Sequence, residues 1–65
     1  MTEREKVECM VQDLAKAIES NALLGMKLLG LEHMPITDKN RIGAHIAIAN
    51  DGLIIAMQGL NSIVE

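Results

Sequence analysis

Lys27, His33, Lys39 and Arg41 crowd around the single proline, Pro35, and together they could hold an anion. Cationic side chains beside the free N–H groups of a helix start form a natural phosphate or carboxylate site. Glu32 and Asp38 stand among them, so the same group also reads as a pair of solvated, charge-balanced helix ends. His33 and His45, with Cys9, Glu32 or Asp38 as co-ligands, would be the donors for a metal. None of the HxxxH, HxxE or CxxC spacings that bring ligands to one ion is present, so no metal site is expected. Cys9 follows Glu8 and has Glu5 a helical turn away, without the basic surroundings that a nucleophile needs. It reads as an ordinary thiol. Asn50 and Asp51 form a polar pair inside an apolar stretch, either as a partner contact or as part of a solvent stripe. No base, nucleophile and oxyanion donor can be assembled, so no catalytic residue and no cofactor is expected. The chain reads as non-enzymatic.

Composition narrows the classes further. Sixty-five residues allow one domain near the lower limit for an unassisted core. A single cysteine closes the route of an internal disulfide, leaving a partner subunit as the expected support. Hydrophobic residues make up 49% of the chain and aromatics 0%, so the core must be aliphatic, Met and Ala, the set that packs between helices. Without aromatics there is no platform for stacking bases and no interfacial belt for a bilayer. The net charge of −3 argues against broad nucleic-acid binding, while leaving room for a local basic patch. MTEREKVE carries both signs with no apolar run behind it, so no secretory leader is read and a cytoplasmic location is expected.

The elements that must position these residues are two helices. Val7, Met10, Leu14, Ala17, Leu24, Leu28 and Leu31 step by three and four, predicting a helix over about 3–31. Val11 and Ile18 widen that stripe, and Asn21 fills the place between Ala17 and Leu24. Asn21 either sets register within the seam or sits wet at its edge. Pro35 interrupts the pattern, predicting a turn at about 32–38 with Thr37 or Asp38 as cap. Ile42, Ile46, Ala49, Leu53, Ala56, Leu60 and Ile63 then predict a second helix over about 39–64. Its glycines cost about 1 kcal/mol each against alanine, and close approach of a facing helix is the compensating gain. A membrane span is not expected, because Asp51, Asn50, Gln58 and Asn61 interrupt the apolar run.

One hairpin cannot shelter this surface: Ile48, Ile55 and Met57 on the second helix, and Leu23, Met26 and Leu29 on the first, lie outside a single seam. The expected architecture is therefore all-α, an antiparallel helical hairpin that dimerises into a four-helix bundle. The residues expected to form the oligomer seam are Leu14, Asn21, Leu24, Leu28, Ile46, Ala49, Gly52, Leu53, Ala56 and Leu60. MTEREK at the start, with this pattern, is similar to the small antiparallel hairpin dimers of the ROP family. The stretch HIAIANDGLIIAMQGLNSIV resembles the last helix of phage proteins that sequester cyclic oligonucleotide signals. The expected function is a small regulatory or accessory homo-oligomer, of the kind mobile elements carry, that binds another macromolecule, a protein first. The alternative is an anion or cyclic-nucleotide binder using Lys27, His33, Lys39 and Arg41 at the turn.

Overall fold

The computed structural model describes residues 2–64, with side chains over 2–63, as two helices packed against each other. Helix α1 spans Glu3–Leu29 and helix α2 spans Ile36–Val64. The start of α1 is fixed by a reciprocal cap at Thr2-x-x-Glu5. Glu5 N donates to Thr2 Oγ1 at 3.1 Å, and Thr2 N donates to the Glu5 carboxylate at 3.2 Å. Two of the free donors of the first turn are thereby satisfied. Glu3 and Glu5 also place negative charge where the helix dipole favours it. Gly30 closes the helix with right-handed geometry (φ −77, ψ −9), its N–H reaching the carbonyls of Met26 and Lys27 at 3.2 Å.

The connection, residues 30–35, falls earlier in the chain than the spacing predicts, because α2 begins at Ile36 and not near Lys39. Lys39 N donates to the Pro35 carbonyl at 3.0 Å, so Pro35 stands at the helix entrance. A proline there forfeits no hydrogen bond, since the first N–H groups have no helical partner. Thr37 and Asp38 therefore lie inside the first turn of α2 and do not cap it. At the other end, α1 stops at Leu29, two residues before the expected limit.

The contact between the helices follows a strict three–four rhythm. On α1 it comprises Val7, Val11, Leu14, Ile18, Asn21, Gly25 and Leu28, and on α2 Gly43, Ile46, Asn50, Leu53, Met57 and Leu60; all are buried or half-buried. Gly25 lies under Ile46, where a Cβ would stand 3.9 Å from Ile46 Cγ2; Gly43 lies under Leu28, with 3.7 Å to Leu28 Cδ2. Asn21 reaches across the seam, its Nδ2 donating to the Ile46 carbonyl at 2.9 Å. Asn21 is half-buried, and this bond ties it to α2 inside the hairpin.

The residues expected in an oligomer seam divide between this contact and the exposed surface. Leu14, Asn21, Leu28, Ile46, Leu53 and Leu60 belong to the contact, but Leu24, Ala49, Gly52 and Ala56 are exposed and lie outside. Val11 and Ile18, read as a widening of the stripe, are central. Asn50 is also in the seam, with its Oδ1 buried and without a hydrogen-bond partner, while its neighbour Asp51 is exposed. The polar pair is thus divided between two environments. The molecule is a rod of 49 × 15 × 12 Å in which Leu28, 8% exposed, is the one buried hydrophobic residue among the described residues.

Candidate interaction face

Two shallow grooves run along the rod, one on each side of the α1–α2 seam. The groove nearer the turn, about 530 Å³, takes in Ala22, Met26 and Leu29 from α1 and Asn40 and Ala47 from α2. Ala22, Met26, Leu29 and Ala47 each follow a seam residue by one position, and Asn40 follows the half-buried Lys39. The groove nearer the termini, about 750 Å³, takes in Met10, Asp13 and Ala17 from α1 and Ala56 and Gly59 from α2. Each of these precedes a seam residue by one. A shift of one position in opposite senses places the two grooves on opposite faces of the hairpin.

The second face is the more informative. Stepping by heptads from Ala17 reaches Leu24 on α1, and from Ala56 it reaches Ala49, Ile42 and Ile63 on α2. From Gly59 the same step reaches Gly52 and then His45. The result is a largely aliphatic face with Ala49, Gly52 and Ala56 at its middle, Ile42 and Ile63 towards its ends, and Asp13 and His45 as polar members. Leu24 is 52% exposed and Ile63 71%, so this face is uncovered in the single hairpin. A Cβ added at Gly52 or Gly59 would meet nothing within 4 Å. Those two glycines therefore do nothing for the α1–α2 contact. The residues expected in the oligomer seam but absent from the hairpin's own core, Leu24, Ala49, Gly52 and Ala56, all fall here.

The cationic group at the turn is less convergent. Lys39 is half-buried and lines the opposite groove, the only one of the four to do so. Arg41 pairs with Asp38 at 3.5 Å, and both side chains are largely exposed. Lys27 sits in the last turn of α1 and His33 in the connection, both exposed. Among the described residues no group of three or more His, Cys, Asp or Glu side chains could hold a metal ion. Cys9 is free and exposed. The Ile36–Ile63 stretch of α2 is long and apolar enough to cross a bilayer by length and composition alone.

The fold defines a two-helix antiparallel hairpin with exposed aliphatic surface on both sides of its seam. No known protein family, curated protein or solved structure matches the chain.

Proposed function

We propose that the protein is a non-enzymatic helical homo-oligomer, most simply a dimer of hairpins, that works by binding another macromolecule. The observation that carries this reading is the uncovered aliphatic face running through Ala17, Leu24, Ala49, Gly52, Ala56 and Ile63. The total surface of the hairpin supports assembly. A compact monomer of 7.1 kDa exposes about 4,100 Å² by the usual size scaling, whereas this hairpin exposes 5065 Å². An excess of about 1,000 Å² per copy is what a stable dimer of roughly 2,000 Å² total interface removes. A second hairpin seated on this face would give the glycines and alanines a partner backbone to approach. The exposed remainder, including Ile48 and Ile55, would then be outward-facing surface for the macromolecular partner.

The test is a pair of substitutions read by light scattering coupled to gel filtration. Ala56→Leu places a large side chain in the middle of the face and is expected to yield monomer or aggregate. Gln58→Ala lies off the face and is expected to leave a dimer. If both variants keep the wild-type mass and thermal midpoint, the face is not the interface. Recovery of the chain only in detergent would point to the bilayer as the cover, through α2.

The anion-binding alternative rests on Lys39, which lies in the groove with Asn40, Asn21 and Asn50. Calorimetry with inorganic phosphate and with cyclic and linear nucleotides decides it. Heat that disappears in Lys39→Ala would support this alternative, and no heat at about millimolar ligand, a Kd worth only some 4 kcal/mol, would remove it.

A further inference from the structure

We infer that the occupant of the aliphatic face is a second copy of this chain lying antiparallel, with its turn at the opposite end of the bundle. The inference rests on the dimer proposed above and adds its orientation and register. Three independent features agree.

The first is size. Along α2 the face reads Ile42, Ala49, Ala56, Ile63, an order unchanged when reversed, with Gly52 at its centre. A two-fold axis perpendicular to the rod turns α2 end for end onto itself. Ala49 then meets the partner copy's equivalent of Ala56, the large isoleucines meet at the ends, and the two Gly52 backbones come together. On α1, Ala17 and Leu24 exchange places under the same rotation, so a small side chain faces a large one.

The second feature is charge. Asp13 lines the face, and Lys27 lies on the same column two heptads further on, with Ser20 midway. Antiparallel packing about Ser20 brings each Asp13 to the Lys27 level of the other copy. At the scale of the rod, Glu3, Glu5, Glu8 and Asp13 outnumber Arg4 and Lys6 at one end, while Lys27, Lys39 and Arg41 outnumber Glu32 and Asp38 at the other. A parallel dimer would set like ends side by side; the antiparallel one sets unlike ends together.

The third feature is level. Gly25 is opposite Ile46 within the hairpin. Counting five residues back from Gly25 and five on from Ile46 puts Ser20 level with Asp51, one residue from Gly52. The pivot found from charge on α1 and the pivot found from size on α2 therefore lie at one height. A single axis can pass through both.

Two variants made in a Cys9→Ser background test the arrangement, with the mass measured alongside. Ser20→Cys changes one atom and places a thiol at the axis, so air oxidation is expected to give a covalent dimer. A spin label on Glu3→Cys lies 17 residues from the pivot, or about 25 Å, so the two labels should stand about 50 Å apart. In addition, Asp13→Lys should weaken the dimer about three-fold, with Lys27→Asp in the same chain restoring it. A dimeric mass with labels less than about 25 Å apart would overturn the orientation while leaving the face in place. A separation of about 50 Å without the Ser20→Cys disulfide would overturn the register. A monomeric wild type would sink the dimer itself.

Discussion

Asn21 shows how much one polar side chain decides in a core this thin. Its Nδ2 donates across the seam to the Ile46 carbonyl at 2.9 Å, and no other side-chain hydrogen bond among the described residues joins α1 to α2. Asn21→Asp would turn that donor into a carboxylate oxygen facing a carbonyl. The expected loss is about 1–3 kcal/mol, the usual cost of an unsatisfied, partly buried polar group. Asn21→Leu removes the donor but leaves Ile46 its helical bond and adds apolar contact, so stability should change by less than about 1 kcal/mol. Urea unfolding at fixed protein concentration measures both. Equal midpoints for Asn21→Asp and wild type would mean that the cross-seam bond is not made. Charge pairs matter less here. Arg4–Glu8 at 3.4 Å and Arg41–Asp38 at 3.5 Å are exposed and salt-screened, each contributing at most a few tenths of a kcal/mol.

At the scale of elements, the four glycines inside the helices divide by what they face. Gly25 and Gly43 serve the hairpin, with Ile46 and Leu28 packed over them at ordinary contact distance. Gly52 and Gly59 face open space in the single hairpin. Gly43→Ala should therefore be tolerated and should gain up to about 1 kcal/mol of helix propensity. Gly52→Ala should gain the same in an isolated hairpin, yet weaken a dimer whose backbones meet there. Thermal midpoints measured for both variants decide the matter: a rise for Gly52→Ala equal to that for Gly43→Ala would place Gly52 in solvent. The helices themselves were legible in the chain, because Pro35 punctuates two stretches of three–four spacing. The division of faces was not. Met10, Ala17 and Leu24 lie one position before Val11, Ile18 and Gly25, so two apolar columns run side by side along α1. Periodicity alone sees one broad stripe and cannot tell which column meets α2. Glycine at 25 and 43 and the reach of Asn21 choose it, and that choice depends on three-dimensional fit. The start of α2 was missed for a local reason: Thr37 and Asp38 look like caps, but Pro35 already supplies a helix-compatible entrance.

At the scale of the whole molecule, a rod with one buried hydrophobic residue, and none fully buried, among its described residues has little cohesion of its own. Leu24, Met26, Ile48, Ile55 and Ile63 are each more than half exposed. Burial on the order of 25 cal/mol per Å² has to come from another surface before folding can outweigh chain entropy. Folding and assembly should then be one event. The most direct measurement is the thermal midpoint of helicity, followed by circular dichroism, over about a hundredfold range of protein concentration. A midpoint that climbs steadily with concentration is the predicted result; a midpoint that stays fixed, with full helicity at the lowest concentration, would contradict it.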